Sequence, residues 1–173
     1  MNYHHMKRLF TFALFLLFTN SAAAYSIFTI GGLYDAVFPA SPSFNGEVDF
    51  GNLTYRSYEY TDNQNLIIFV ATYQVNQRHF KKSDVRVALE NIVKGQTNFG
   101  LKITSVRYQK IGGHEAVIYS MEQPYEGRTI RKYSVSCYKD GRFLTWTVQD
   151  MASVSTLSAK LLFQKYLPYF SVK

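Results

Sequence analysis

Cysteine is almost missing from this 173-residue chain, which contains only Cys137. A single cysteine excludes an internal disulfide framework and any zinc or iron–sulfur site that needs several thiolates. Charged residues make up 18% of the chain and hydrophobic residues 47%, which excludes a disordered, collagenous or coiled-coil protein. The composition therefore indicates a globular protein and identifies no activity.

Long hydrophobic runs are also scarce, and the one that exists lies at the start. Lys7 and Arg8 precede an apolar run of ten residues, Leu9–Phe18, and small residues follow it. Ala22 and Ala24 fit the pattern that a signal peptidase reads. Ten apolar residues are too few to span a bilayer as a helix, which needs about 20. We expect residues 1–24 to be a cleaved signal peptide, with an uncleaved anchor as the alternative.

The rest of the chain, residues 25–173, has no linker, repeat or second apolar run of membrane length. It is predicted to be a single soluble domain without a membrane span. Export predicts a periplasmic location, with secretion outside the cell as the alternative. Translation could start at Met1 or Met6, and the sequence leaves both open. Loss of Lys7 and Arg8 lowers the net charge of +7 by two.

Most of this domain has the sequence pattern of β-strands. Alternating β-branched and aromatic residues, bounded by turn residues, predict strands. Gly112 and Gly113 mark one hairpin, and the residues 139–142 mark another. The predicted strands are Tyr34–Phe38, Leu53–Tyr60, Leu66–Val75, Leu101–Ile111, His114–Gln123, Arg128–Tyr138 and Phe143–Gln149.

Two segments have helical spacing. Ser83 is placed to cap a helix, and Val85, Leu89, Ile92 and Val93 then form one apolar stripe. Gly100 is predicted to close this helix. A second amphipathic stretch, Ser155–Tyr166, is predicted near the end of the chain.

The predicted order is therefore β-β-β-α-β-β-β-β-α. Hairpins between consecutive strands require antiparallel pairing. The segments 66–75 and 114–121 are apolar on both faces, which favours a sheet covered on both sides. We expect an α+β fold in which helices flank an antiparallel sheet, as an α/β/α sandwich.

This layout resembles the PsbP-like sandwich family, which includes PsbP and Mog-type proteins. The resemblance covers nearly all of residues 33–173. The segments that carry it are the F-P-x-x-P corner at 38–42, the aromatic hairpin Tyr55–Tyr73, the helix Asp84–Asn98, the turn Ile111–Ala116 and the ending Phe170–Lys173. It implies a protein that binds partners or stabilises assemblies and has no catalytic signature. Together with the predicted signal peptide, the resemblance suggests an exported bacterial member.

Few residues point to catalysis or metal binding. His79 and His114 lie outside any nucleophile motif, and a metal site would require both to converge with Cys137. Glu122 and Glu126 flank Pro124 and would suit glycoside chemistry only across a cleft. We expect surface histidines, solvated carboxylates, a buried inert thiol, no catalytic residue, no metal and no cofactor.

Basic residues give the more useful pattern, because they form two clusters. The clusters are Arg78, Lys81, Lys82 and Arg86, and Arg128, Arg131 and Lys132. Each cluster is either a solvated face or a binding surface for an anionic partner. In the second case, the positive charge would attract the partner over roughly 8 Å, the Debye length at physiological salt. Export argues against nucleic acid as that partner.

The leading hypothesis is an exported, non-enzymatic binding or assembly-support module whose partner is an unidentified protein or an anionic envelope component. The alternative is a small envelope or secreted hydrolase with an unrecognised active site. A third possibility is a secreted effector whose basic face adheres to a host surface.

Overall fold

The computed structural model describes residues 25–50, 53–151 and 158–173. The predicted signal peptide, 1–24, and the first residues of the predicted last helix, 155–157, lie outside these ranges. The described residues form ten strands, two α-helices and one 3₁₀ turn. The strands are β1 (Ser26–Ile30), β2 (Tyr34–Phe38), β3 (Ser43–Phe50), β4 (Leu53–Asp62), β5 (Ile67–Gln74), β6 (Lys102–Ile111), β7 (His114–Tyr125), β8 (Arg128–Lys139), β9 (Arg142–Asp150) and β10 (Ser171–Val172). The helices are α1 (Val85–Asn98) and α2 (Ala159–Tyr166), and the 3₁₀ turn is Leu167–Tyr169.

The strands form two antiparallel sheets. The large sheet has seven strands in the order β3-β4-β5-β9-β8-β7-β6, and the small sheet has three in the order β1-β2-β10. Pairing of β5 with β9, in the register Thr72 to Thr145, joins the first half of the chain to the second. Both predicted hairpins are present, with Ile111 opposite His114 and Lys139 opposite Arg142.

The predicted α/β/α sandwich is wrong, because the protein is mostly β-structure with two short helices. One face of the large sheet is covered mainly by the small sheet, together with the eight-residue α2. On the other face, α1 packs mainly on β6, β7 and β8. The apolar segment 66–75 suggested coverage on both faces, but Ile68, Val70 and Thr72 are half-exposed on the α1 face, in the part that the helix leaves open.

The main core lies between the two sheets and is strongly aromatic. Phe38 of the small sheet meets Phe69 of the large sheet, with ring centroids 6.3 Å apart. The Tyr34 hydroxyl shares its one proton between the carbonyls of Thr72 and Thr145, each 3.0 Å away. This one side chain therefore ties the small sheet to two adjacent strands of the large one.

The second core lies under α1. Val85, Leu89 and Val93 are buried and Ile92 is partly buried, so the predicted stripe is confirmed. The predicted Ser83 cap is wrong: Asp84 is the N-cap residue, and no side chain caps the helix. Ser83 Oγ donates to the Asp84 carboxylate instead, at 2.8 Å. Burial of the stripe therefore holds this helix more than its caps do.

Asp35 fastens the C-terminal strand to the small sheet. Its carboxylate accepts from Thr29 Oγ1 at 2.7 Å and Ser171 Oγ at 3.2 Å, and lies 2.8 Å from Lys173 Nζ. Burial raises the pKa of this carboxyl, but the hydrogen bonds from Lys173, Thr29 and Ser171 outweigh burial, so the net pKa lies below its usual range. The ionised form is therefore favoured in the folded protein.

The substitution Asp35→Asn is expected to lower the free energy of unfolding by about 1 kcal/mol near pH 7. The pKa of Asp35 is lower in the folded protein than in the unfolded one. The ionised carboxylate therefore stabilises the fold at pH values above the unfolded-state pKa, and this stabilisation is lost as the pH falls through the folded-state pKa. Urea unfolding near pH 7 and near pH 2 should therefore show the cost only at the higher pH. An equal cost at both values would contradict a contribution from the ionised carboxylate.

Candidate functional site

Alternation along β8 separates the residues of the second predicted basic cluster. Arg131 and Lys132 are neighbours in the strand, so their side chains point to opposite faces of the sheet. Arg131 lines a cleft beside α2, and Lys132 lines a groove beside α1. Arg128 lies exposed at the β7–β8 turn. The three residues therefore do not form one surface.

The cleft beside α2 has a volume of about 570 Å³ and is basic. We call it the basic cleft. Its charged lining residues are Arg107 from β6, Arg131 from β8, Lys160 from α2 and one acid, Glu122 from β7. Arg131 Nε lies 3.4 Å from Glu122 Oε1, and both side chains are partly exposed. Within the described ranges, Arg107 and Lys160 have no ion-pair partner, so the cleft keeps an excess of positive charge.

Hydroxyl groups lie at the β6 side of the basic cleft, where the strand register shifts between Ile103 and Ser105. Thr104 Oγ1 and Ser105 Oγ each lie 2.7 Å from Ser120 Oγ. The bulge thus brings two consecutive β6 hydroxyls to one residue of β7. Hydroxyls and guanidinium groups together can donate several hydrogen bonds to the oxygens of an anionic group.

The groove beside α1 has a volume of about 590 Å³ and a different character. We call it the helix groove. Its apolar and aromatic lining residues are Val48, Leu53, Tyr55, Val70, Ile92, Phe99, Tyr119, Met121 and Phe143. Hydroxyl side chains from four adjacent strands also line it, namely Ser57, Thr72, Thr145, Thr147 and Ser134. Of the described residues that line the helix groove, Lys132 is the one that carries a charge.

The first predicted basic cluster lies at the start of α1, outside both cavities. Arg86 is engaged on its own helix and on β6: its Nε lies 3.3 Å from Glu90 Oε1, and its guanidinium lies 3.3 Å from the centre of the Tyr108 ring. Arg78 lies over the Phe80 ring at 5.1 Å. Lys81 and Lys82 are exposed in the turn before the helix. The members of this cluster are all exposed, and none of them lines either cavity.

The structure does not bring together the candidate metal ligands or the candidate pair of carboxylates. In the part of the chain that the structure describes, no three histidine, cysteine or acidic side chains lie close enough to hold a metal ion. His79 contacts the β8–β9 turn near Gly141, whereas His114 begins β7. Glu122 lies within β7 and pairs with Arg131, and Glu126 occupies the β7–β8 turn. The strand predicted to end at Gln123 continues through Pro124 to Tyr125, so Glu122 and Glu126 do not lie together in a loop.

Cys137 is fully buried in the main core, which confirms the prediction of a buried thiol. Burial raises its pKa to about 12. Since only the thiolate reacts, we expect a disulfide reagent such as dithionitrobenzoate to label the native protein at least about 100-fold more slowly than the unfolded one. Stopped-flow absorbance measures both rates. Native labelling within about tenfold of the unfolded rate would contradict the burial.

Sequence reasoning missed Arg107 and Lys160, which complete the basic cleft. They are separated from Arg131 by 24 and 29 positions and belong to a different strand and a helix. The available clue was strand parity: Arg107 pairs with Ile118, which faces the same side as Arg131. Grouping basic residues by their closeness in the sequence does not show which residues share a face of the sheet.

Over the described residues, the architecture is one of two antiparallel sheets with two short helices. The chain is similar to the solution structure of the cyanobacterial PsbP protein of Synechocystis, with a TM-score of 0.55, 12% identity, and coverage of 90% of this chain and 96% of that chain. A Pseudomonas aeruginosa protein of unknown function has a TM-score of 0.43, with 13% identity over 82% of this chain and 89% of its own. The first likeness supports a PsbP-like fold, and the second is too low to carry an argument.

No protein-family model and no curated protein sequence matches the chain. Neither helix in the described ranges has the length and apolar character needed to cross a membrane.

Proposed function

We propose that this chain is an exported, non-enzymatic binding module that recognises an acidic partner protein through the basic cleft. Residues 1–24 act as a removable signal peptide, and 25–173 function as one domain in the periplasm or outside the cell. The observation that carries the proposal is the convergence of Arg107, Arg131 and Lys160 from three elements on one concave surface with a single carboxylate.

The geometry of the basic cleft suits an acidic surface better than the exposed cluster at the start of α1 does, because that cluster lines neither cavity. A concave site lined by one sign of charge focuses its electric field and speeds the encounter with an oppositely charged partner. Arg107 and Lys160 are exposed, so a partner carboxylate reaches them without displacing an internal ion pair. Hydroxyls on β6 and β7 supply further donors at the same place.

The triple charge reversal Arg107→Glu, Arg131→Glu and Lys160→Glu should weaken binding to an acidic probe, poly-L-glutamate, at least about tenfold at about 0.15 M salt. The matched control is Arg78→Glu, Lys81→Glu and Lys82→Glu, which changes the same net charge at the other cluster. Fluorescence anisotropy of labelled poly-L-glutamate measures both, and circular dichroism verifies the fold. We expect the control to keep most of the affinity.

Equal losses in the two triple variants would overturn the proposal, because net charge alone would then explain the binding. Vesicles containing phosphatidylglycerol form a second arm of the experiment. Tighter binding to the vesicles than to poly-L-glutamate would place a lipid headgroup in the role that we assign to a protein. N-terminal sequencing of the exported protein tests the remaining part of the proposal, with cleavage after Ala24 as the expected result.

A further inference from the structure

The helix groove exists because α1 covers only part of its face of the large sheet. The helix packs on β6, β7 and β8, and the neighbouring strands β9, β5 and β4 continue beyond it. Its later turns, with Ile92 and Gln96, form one wall, and the exposed strands form the floor. A volume of about 590 Å³ is the size of a small-molecule site and too small for a folded partner.

The floor of this groove is polar but largely satisfied within the sheet. Ser134 Oγ lies 2.8 Å from Thr147 Oγ1, and Ser136 Oγ lies 2.7 Å from Thr145 Oγ1. Hydroxyls that are already paired across strands can be covered by an apolar chain without losing their partners. Phe99 is 65% exposed at the edge of the groove and offers apolar surface to such a chain.

Lys132 sets the charge of the groove. It stands in register between Met121 of β7 and Gln149 of β9, neither of which is charged. Its side chain is partly buried, and the described residues provide it with no ion pair or hydrogen bond. Burial lowers the pKa of its ammonium group, as expected where no carboxylate is near. A bound anion would supply the missing counter-charge.

We infer that the helix groove binds a small amphipathic carboxylate, with its apolar body against Phe99 and the sheet floor and its carboxylate at Lys132 and Gln149. One ammonium and one side-chain amide can satisfy a carboxylate, whereas a phosphate dianion would need more donors. The apolar lining selects for a hydrophobic body. This site lies on the opposite face of the large sheet from the basic cleft and does not depend on it.

Titration of the ¹⁵N-labelled protein with decanoate tests the inference directly. We expect saturable chemical-shift changes at Phe99, Thr147 and Gln149. Decyltrimethylammonium has the same apolar chain and the opposite charge, and we expect it to bind at least about tenfold more weakly. This pair of probes separates recognition of the charge from general hydrophobic adsorption.

Three variants complete the test. Lys132→Met should weaken decanoate binding at least about tenfold and abolish the preference over decyltrimethylammonium, while Lys132→Arg should stay within about threefold. Lys160→Met removes a lysine from the basic cleft and should leave decanoate affinity unchanged. Equal binding of the two amphiphiles, or unchanged decanoate affinity in Lys132→Met, would overturn the inference. So would shift changes confined to the basic cleft.

Discussion

Replacement of Trp146 by alanine is expected to lower the free energy of unfolding by about 4 kcal/mol. Trp146 is the only tryptophan of the chain, and in β9 it is completely buried. Its ring stacks on Phe163 of α2, with centroids 5.4 Å apart. Removal of the indole leaves a large cavity between the large sheet and α2, and the rigid strands around it cannot close that space.

Phenylalanine at the same position is the matched control. The substitution Trp146→Phe keeps the ring contact and removes an indole N–H that has no partner among the described residues. Since an unpaired buried donor is costly, its loss offsets part of the lost packing, and the expected cost is about 1 to 2 kcal/mol. Urea unfolding followed by circular dichroism measures both variants, since tryptophan fluorescence disappears with the mutation. A cost below about 1 kcal/mol for Trp146→Ala would contradict this packing.

Gly31→Ala is expected to cost about 2 to 3 kcal/mol. Gly31 has a φ of 59° in the β1–β2 turn, where a side chain is strained. A Cβ there would also lie 2.7 Å from the Tyr73 ring. Tyr73 is buried and stacks near Tyr58, with centroids 6.4 Å apart, so its ring has little room to move.

Its neighbour Gly32 separates the two causes. Gly32 has a φ of 71°, but a Cβ there would meet nothing within 4 Å. Gly32→Ala is therefore expected to lower the free energy of unfolding by about 1 kcal/mol, from the strained backbone conformation alone. Chemical unfolding of both variants under the same conditions gives the difference. Equal costs at the two positions would mean that the turn does not press on Tyr73.

Local sequence patterns predicted the elements that depend on local chemistry. Gly112 and Gly113 both have positive φ, as a two-residue hairpin turn requires, and the predicted hairpin is there. The stripe from Val85 to Val93 is buried as its helical spacing indicated. In these cases the neighbouring residues carry enough information to predict the element.

Of the small sheet, β2 was predicted at its observed bounds, Tyr34–Phe38, but β1, β10 and the large-sheet strand β3 were not. β3 contains Asn45, Gly46 and Glu47, and its register with β4 shifts between Phe44 and Gly46, so it has no regular alternation. β10 is two residues long and pairs with β2, more than 130 positions earlier in the chain. Because β10 is held by so distant a partner, the small sheet was not expected, and the face that it covers was assigned to a helix.

The candidate site was predictable only in part, for the same reason. Arg131 and Lys132 were identified as members of a basic cluster, but alternation along β8 places them on opposite faces. Arg107 and Lys160 join Arg131 only after β6, β8 and α2 have packed together. A site built from three elements depends on the tertiary fold and has no local pattern.

Site-specific photocrosslinking in the producing cell tests the central claim, that the basic cleft is the binding surface. Benzoylphenylalanine replaces Gln164, which lines the cleft from α2, or Val87, which is 54% exposed on α1 and lines neither cavity. We expect a discrete adduct with an acidic protein from Gln164 that disappears in the Arg107→Glu, Arg131→Glu, Lys160→Glu background. No adduct from Gln164, or the same adduct from Val87, would contradict the account.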